Sequence, residues 1–304
     1  MKAHVFFVVM MLCLLFPGRI FAVSVAPSLI EIEAERGEEI SSSFTLINPS
    51  AEPETYYFRT IKFETNAENG RPQFLPNDRE NLPSWMRFES TSFTVAPHTQ
   101  IAMPFTVVIP PGTPSGGYYA AILVSETPSE IVAANGASVE ASVAVLVLLT
   151  VEGETERRGA LLDLQSPTEG KWLTTLHGSF SFRIQNQGNV HFEPKGRLEI
   201  RDFFGRKVLV APVNQEGGRV LPGTTRMFSA SFGPQEKLNF WDTVRVQIQT
   251  FAVGPVRAVL VLDEGLQETA SADFGFWMLP WQSLLVFVGL AVVAVIVPRR
   301  FRKK

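Results

Sequence analysis

The stretch Ser-Phe-Thr-Leu-Ile-Asn-Pro-Ser, residues 43–50, decides the fold of this chain. Within Ser43–Ile47 apolar residues tend to face one way, as a strand with one buried and one wet side requires. Asn48-Pro49-Ser50 then predicts a turn, because proline presets a turn dihedral and the other two side chains bond to nearby main chain. Residues 105–112, Phe-Thr-Val-Val-Ile-Pro-Pro-Gly, repeat this order of strand and turn. The pattern predicts an all-β protein.

Short runs rich in Val, Ile, Phe, Thr and Tyr continue outward from this stretch in both directions. Seven such runs in each half predict two tandem immunoglobulin-like β-sandwich domains, followed by one transmembrane α-helix. We place the domains at residues 23–153 and 154–265. The predicted strands are Ser28–Glu33, Glu39–Asn48, Glu54–Glu64, Ser92–Ala96, Ile101–Ile109, Tyr118–Glu126 and Val139–Val151 in the first, and Ala160–Gln165, Ser179–Gln185, Gly196–Arg201, Lys207–Val210, Arg226–Phe232, Thr243–Gln249 and Val256–Leu262 in the second.

Residues 1–22 predict a signal peptide. Lys2 and His4 give a weakly basic start, and Val5–Phe16 is an apolar run of twelve residues. Such a run is shorter than the about 20 residues that a transmembrane helix needs. Small residues allow cleavage after Ala22 or after Ser24, and the sequence leaves both sites open.

The C-terminal residues predict a membrane anchor, because no charged residue occurs from Phe276 to Val297. We expect a juxtamembrane spacer at 266–276, a transmembrane helix at 277–297 and a basic cytoplasmic tail at 298–304. This predicts a single-pass protein of the cell membrane with its N-terminus outside. Indole rings and cations favour the membrane interface. The predicted interface residues are Trp277, Trp281, Arg299, Arg300, Arg302, Lys303 and Lys304.

Charge and cysteine content limit the classes of function. From Val23 to Thr155 there are 6 Lys+Arg and 17 Asp+Glu, a net charge of −11, and from Glu156 to Phe276 there are 14 and 13, a net charge of +1. Neither half has the basic surface of a nucleic-acid-binding protein. The one cysteine, Cys13, lies in the predicted signal peptide, so the sandwiches must be stabilised by their apolar cores rather than by disulfides.

No catalytic or metal-binding motif stands out in the sequence. His98, His177 and His191 are isolated, with no partner at the spacing of metal ligands. A calcium site at Asp78 and Glu80 lacks the dense Asp/Asn/Gly spacing of a dedicated loop. We therefore predict a protein that is not an enzyme and that has no cofactor and no metal.

Aromatic residues supply the candidate ligand-binding positions. Trp85 and Phe88 end a long connection at 65–83, where they either pack in the core or offer a stacking surface for sugar. Tyr119 follows Gly117 at the start of a late strand, which suits the structural tyrosine corner of sandwich folds. Tyr118 should then point to the opposite face, which makes it the third candidate for ligand binding.

Four segments in this order carry a family resemblance. They are Trp85, Ser92–Pro97, Val107–Pro110 and Pro114–Tyr119, and the Asn48-Pro49 turn fits the same pattern. Together they resemble the first domain of the bacterial WxL-interacting proteins. In that family a tryptophan, a strand ending in proline, an Ile-Pro strand end and a Pro-x-Gly-x-Tyr turn follow one another.

The resemblance implies that the first domain binds peptidoglycan and the second binds another surface protein. The main interpretation is therefore an adhesion or scaffold protein of the cell wall and cell surface. The alternative is a pilus-chaperone-like assembly factor for secreted surface subunits, since such chaperones also pair two sandwiches. A third possibility is an enzyme that uses carboxylates of the acidic first domain. The sequence assigns neither the binding residues nor the oligomeric state.

Overall fold

The computed structural model describes residues 23–66, 70–75, 78–128, 142–264 and 270–301, and the predicted signal peptide lies outside them. Strands predominate over helices among these residues, which confirms the all-β prediction at the level of the fold class. The chain divides into two compact units. The first consists of Met1–Lys62, Phe74–Thr113 and Tyr118–Leu149, and the second of Phe63–Gln73, Pro114–Gly117 and Thr150–Lys304.

The N-terminal strands form two sheets packed face to face. In the described residues the elements are β1 (Ser24–Ala26), β2 (Leu29–Ala34), β3 (Glu39–Ile47), β4 (Glu54–Thr65), β5 (Pro72–Leu75), α1 (Leu82–Trp85), β6 (Met86–Arg87), β7 (Ser92–Val95), β8 (Gln100–Val108), β9 (Gly116–Ser125) and β10 (Ser142–Val151). One sheet has the order β1-β3-β8-β6, and the other has the order β2-β10-β9-β4-β5 with β7 also paired to β4. Phe44 of β3 meets Phe58 of β4 edge-on, with 6.0 Å between the ring centroids.

The C-terminal strands form a second pair of sheets. The elements are β11 (Gly159–Gln165), β12 (Trp172–Leu173), β13 (Gly178–Asn186), β14 (Lys195–Arg201), β15 (Lys207–Pro212), β16 (Thr225–Phe232), α2 (Phe240–Gln249), β17 (Gly254–Glu264), β18 (Ala270–Met278) and α3 (Trp281–Phe301). The sheet orders are β11-β13-β16 and β12-β18-β17-β14-β15. Rings from both sheets meet in the core, with Phe180 and Phe274 6.4 Å apart and Phe232 and Phe276 6.1 Å apart.

Each pair of sheets contains one buried asparagine at the end of a central strand. Asn48 follows β3 and is fully buried; its amide donates to the carbonyls of Val95 at 3.0 Å and Glu52 at 2.9 Å, and its Oδ1 accepts the N–H of Ser50 at 2.9 Å. The Tyr56 hydroxyl also donates to that Oδ1 at 3.3 Å. A buried carbonyl without a partner is costly, so this side chain satisfies main-chain groups that the turn leaves unpaired.

Asn186, the last residue of β13, repeats the arrangement in the second pair of sheets. Its amide donates to the carbonyls of Val190 and Val220, both at 2.8 Å, and its Oδ1 accepts the N–H of Gly188 at 2.9 Å. In both units, a polar side chain at a strand end therefore joins two turns that lie far apart in sequence.

A buried carboxylate organises the outer face of the five-stranded sheet. Glu199 of β14 is 1% exposed. It accepts hydrogen bonds from Lys207 Nζ at 2.7 Å, Arg197 Nε at 3.0 Å and Arg201 Nε at 3.1 Å. Lys207, followed by Arg201 and Arg197, lowers the pKa of Glu199 to about 2. The ionised carboxylate therefore bridges β14 to β15 through Lys207.

The segment Thr243–Gln249, predicted as a strand, is instead part of helix α2. Asn239 caps the helix, because its Oδ1 accepts the N–H of Asp242 at 2.9 Å. Val244 and Gln247 are buried three residues apart on one helical face, whereas Trp241 and Ile248 are exposed. A capping residue and a 3.6-residue period thus outweigh the β-propensity of the valines and isoleucine.

The predicted C-terminal organisation differs from the structure. Ala270–Met278 is strand β18, paired with β17, where the sequence analysis expects mostly spacer. Helix α3 begins only at Trp281, and its first turn docks on α2, since Ser283 is buried and its N–H donates to Gln247 Oε1 at 2.9 Å. Across the described residues, no helix combines the length and apolarity needed to cross a membrane. The predictions of a transmembrane helix at 277–297 and of a single-pass cell-membrane location are therefore wrong.

Replacing either buried asparagine by alanine should destabilise the unit that contains it. Asn48→Ala and Asn186→Ala each leave buried carbonyls without donors, so we expect each to lower the free energy of unfolding by about 3 kcal/mol. Urea unfolding gives the size of the loss, and hydrogen exchange shows which unit opens. Thr94→Ala, which removes only an exposed hydroxyl contact to Thr55, is the control. Losses equal to that of the control would contradict the role assigned to the asparagines.

The ion cluster at Glu199 predicts a pH dependence. Its folded pKa lies below the ordinary value, so its contribution to stability is complete above about pH 4.5 and is lost as the pH falls through about 2. As the pH is lowered between these limits, the free energy of unfolding of the wild type should decrease more steeply than that of Glu199→Gln. Urea unfolding at several pH values measures both. Parallel curves for the two proteins would show that the carboxylate is not stabilised by its cations.

Candidate functional site

One half of strand β10 has an uncovered edge. In its sheet β10 lies between β2 and β9, and it has ten residues whereas β2 has six. The Leu146 N–H donates to the Ser28 carbonyl at 2.9 Å, so the start of β2 lies beside the middle of β10. Because β2 runs from there in one direction only, no strand of the described residues lies on this side of the other half of β10.

Exposure identifies the first half of β10 as the uncovered one. Ser142 is exposed and Val143 and Ala144 are half-buried, whereas every residue of Val147–Val151 is buried. Before Ser28 the chain passes to the other sheet, where β1 pairs with β3. We refer to Ser142–Val145 as the β10 edge.

The main chain of the β10 edge is oriented to accept another strand. Main-chain groups of successive residues in a strand point to opposite sides. The Leu146 N–H points towards β2, so the Ala144 N–H points to the same, uncovered side. An unpaired row of N–H and C=O groups beside apolar side chains is a template for pairing with an extended chain.

The aromatic candidates at Trp85 and Phe88 lie against other rings. Trp85, the last residue of α1, is half-buried with its ring 4.8 Å from that of Tyr118. Phe88 stacks on Phe58 at 6.1 Å and lies 5.9 Å from Phe105. Burial raises the pKa of the Tyr118 hydroxyl. These positions match the packing alternative for Trp85 and Phe88, and ligand binding by the three residues stays a prediction.

The two residues predicted as structural lie at the start of β9. Gly117 donates its N–H to the Asn189 carbonyl at 2.8 Å, and both residues belong to the second unit. Tyr119 is half-buried. The tyrosine-corner role of Tyr119 stays a prediction.

The described residues among those predicted for a membrane interface lie at three places in the fold. Trp277 of β18 stacks on Trp172 with 5.0 Å between centroids, and Trp281 starts α3 at 6.4 Å from Phe240. Arg299 and Arg300 lie in the last turns of α3, whereas residues 302–304 lie outside the described residues. Because the prediction of a membrane-spanning helix is wrong, the positions of these described residues give no support to a role at a membrane interface.

Asp78 and Glu80, the residues considered for a calcium site and not predicted to form one, are engaged in other interactions. Asp78 pairs with Lys62 at 3.0 Å, and its Oδ1 accepts the Glu80 N–H at 3.0 Å; the Glu80 N–H and then Lys62 lower the pKa of Asp78. Within the ranges that the structure describes, no three His, Cys, Asp or Glu residues come together as a possible metal site.

The β10 edge is not recognisable from the sequence, although the pattern predicts a strand at Val139–Val151. The apolar run over residues 143–149 indicates a buried strand, and nothing in it shows which neighbour covers which half. The signal lies in the lengths of β2 and β10, which only the pairing reveals.

Comparison with known proteins gives fold-level matches only. No family model and no curated protein matches the chain. Among solved structures, the class 5 fimbrial chaperone CfaA is 13% identical with a TM-score of 0.39, over 85% of this chain and 100% of its own. The Escherichia coli chaperone DraB is 10% identical with a TM-score of 0.38, over 85% and 98%. The Salmonella enterica SafA pilin–SafB chaperone complex is 9% identical with a TM-score of 0.38, over 85% and 97%.

These findings correct the main functional interpretation. The three solved structures named above are chaperones or a chaperone–pilin complex, and the described residues contain no membrane-spanning helix. The membrane-anchored, peptidoglycan-binding scaffold is therefore wrong. The resemblance to the WxL-interacting proteins is not tested by the comparisons and stays a prediction, as does the absence of enzymatic activity.

Proposed function

We propose that the protein is an assembly factor that holds a β-rich subunit by adding one of the subunit's strands to the β10 edge. The observation that carries the proposal is the uncovered half of β10, with its outward-facing Ala144 N–H. Strand addition is a known mode of recognition between chaperones and pilins, in which main-chain bonds supply affinity and side-chain pockets supply specificity.

An exposed apolar edge is a liability unless it has a use. Natural sheets protect their edges with lysine, proline, bulges or a covering segment. Ser142–Val145 contains no charge and no proline. This lack of protection is consistent with an edge that a partner covers.

The matched chaperones offer a parallel for the partner. One such structure is a chaperone–tip adhesin complex and another is a pilin in complex with its chaperone. Their TM-scores lie below 0.5, and the uncovered half of β10 is the feature that supports strand addition in this chain. We further infer that both two-sheet units are immunoglobulin-like sandwiches, in agreement with the sequence prediction. As in the alternative interpretation of the sequence, we propose that the partner is a secreted surface subunit.

A single proline should separate binding from folding. Ala144→Pro removes an N–H that faces the uncovered side and leaves the bonds to β9 intact, so the protein should still fold. Capture of a subunit should fall about tenfold, because the complex loses one hydrogen bond and the proline ring fits poorly against the added strand. The measurement uses the full chain with a photo-crosslinking residue at Ser142, expressed in its native cells, and mass spectrometry of the adducts.

Two variants control this experiment. Ala144→Val keeps the N–H and should retain capture, and a crosslinker at Ile101, which is exposed on β8 of the other sheet, should not give the same adduct. Equal capture by the proline variant, or adducts only at Ile101, would refute strand addition at the β10 edge.

A further inference from the structure

The five-stranded sheet of the second unit has an open outer face. Side chains along a strand alternate between the two faces of its sheet. In β18 the buried residues alternate with Asp273, Gly275 and Trp277, and all three of these are exposed. In the neighbouring strand β17, Pro255 and Arg257 are exposed in the same way. These five residues form one surface, which we call the β18 face.

Gly275 makes the middle of the β18 face flat. It lies opposite Arg257 in a stretch of pairing without a register shift, and its φ is not positive. A Cβ atom at this position would meet no heavy atom closer than 3.9 Å, so neither a bulge nor a close main chain requires a glycine here. The remaining reason for a glycine inside a strand is the close approach of a ligand.

Two indole rings lie at one end of the β18 face. Trp172 of β12 is the direct neighbour of Trp277 in the sheet, and the rings stack with 5.0 Å between their centroids and 22° between their planes. Trp172 is 65% exposed. Exposed apolar area of this size marks a binding site more often than a structural contact. Indole faces pack well against the C–H groups of a sugar ring, so the pair can serve as a stacking platform.

A pocket of about 520 Å³ lies beside these residues. It is lined by Pro255, Arg257 and Asp273 of the β18 face and by the turn at residues 202–205 between β14 and β15. Pockets that bind small ligands have volumes of about 300–1,000 Å³. The pocket is therefore large enough to hold part of a ligand that extends along the β18 face.

The turn that forms the wall of this pocket is held in place by hydrogen bonds. Asp202 Oδ1 accepts the N–H of Phe204 at 3.0 Å and the N–H of Arg206 at 2.9 Å. Arg206 Nη2 donates to the Phe251 carbonyl at 2.7 Å. The turn presents the ring of Phe203, which is 71% exposed, and binding would cost little further ordering of this wall.

The charges that line the pocket cancel. Arg201 and Asp202 already form ion pairs with residues outside the pocket. Arg257 and Asp273 are exposed, and neither side chain has an ion pair or a hydrogen bond within the described part of the chain. The pocket thus offers one free donor group and one free acceptor group, with no net charge. A hydroxylated, uncharged ligand satisfies both groups, whereas an ion is opposed by one of them.

Strand addition cannot supply the binding at this pocket. β17 pairs with β18 from Gly254 to Leu262 and with β14 from Arg257 to Glu264, so Arg257 and Val259 have a partner strand on each side. An extended polypeptide would find no free main-chain groups of β17 to pair with. Recognition on this face therefore depends on side chains.

We propose that the β18 face and its pocket bind an uncharged, β-1,4-linked oligosaccharide. Its sugar rings stack on the Trp172–Trp277 pair, lie flat over Gly275 and bond through their hydroxyls to Arg257 and Asp273. Trp277 and Asp273 are four residues apart, about 14 Å along the strand, which is longer than one sugar ring. Chains with β-1,4 links are flat ribbons and α-1,4 chains coil, so the flat middle of this face favours the former.

Binding of cellohexaose to the full chain tests the site. Isothermal titration calorimetry should show binding of cellohexaose and at least tenfold weaker binding of maltohexaose, which has the same sugar units in an α-1,4 chain. Cellohexaose oxidised to carboxylates at C6 should also bind more weakly, because the pocket has no net positive charge to compensate their lost hydration. Tryptophan fluorescence should change with cellohexaose, because the ligand displaces water from the exposed rings.

Four variants assign the binding to its residues. Gly275→Val places a side chain on the flat part of the face, where nothing obstructs it, so the protein should fold and binding should fall at least tenfold. Gly112→Val, at a turn glycine that also has no heavy atom within 4 Å, is the matched control and should bind as the wild type does. Trp172→Ala and Asp273→Ala should each weaken binding about tenfold, since each loses one contact.

Several outcomes would overturn the proposal. A wild-type chain that does not bind cellohexaose would remove the site altogether. Equal binding by Gly275→Val and the wild type would show that the ligand does not lie on the β18 face, and equal binding of maltohexaose would show that a flat chain is not selected. The site uses no residue of the β10 edge, so Ala144→Pro should leave cellohexaose binding unchanged and either site can fail without the other.

Discussion

The buried asparagine at the end of a central strand is the constraint on which each pair of sheets depends. A sandwich must turn its chain at the rim of an apolar core, where main-chain carbonyls are out of reach of water. Asn48 and Asn186 each use both ends of one amide to satisfy such groups on turns that are distant in sequence. Because the side chain donates and accepts at once, neither Asp nor Leu can replace it. The packing of the rest of each core depends on these turns being held in place by the asparagine.

Once the asparagines have satisfied the turns, the main-chain groups that remain unpaired are those at the strand edges. A sandwich of two open sheets always has such edges, and this chain treats them unequally. Lys207 and Pro212 blunt β15, and a register shift interrupts β11. The β10 edge has neither device. Since an unprotected edge promotes aggregation, its retention in a folded protein indicates use.

The sequence predicted what depends on local pattern and missed what depends on pairing. The alternation in residues 43–47 and the Asn-Pro turn predicted β3 and its end correctly, because both are properties of adjacent residues. Residues 270–278 instead merged with the apolar run that follows, although Phe274 and Phe276 alternate inward in β18. Helix α2 contradicts the strand prediction because its valines favour a strand, whereas its cap at Asn239 favours a helix.

The candidate binding edge could not be predicted from the sequence, for a physical reason. Whether the Ala144 N–H is free depends on where β2 starts beside β10. That position is set by the pairing of two strands distant in sequence and is not encoded by neighbouring residues. The β10 edge is apolar and uncharged, so it discriminates between partner segments by shape. A partner segment with a carboxylate beside Val143 or Val145 would lose hydration without compensation, which disfavours acidic segments at this edge.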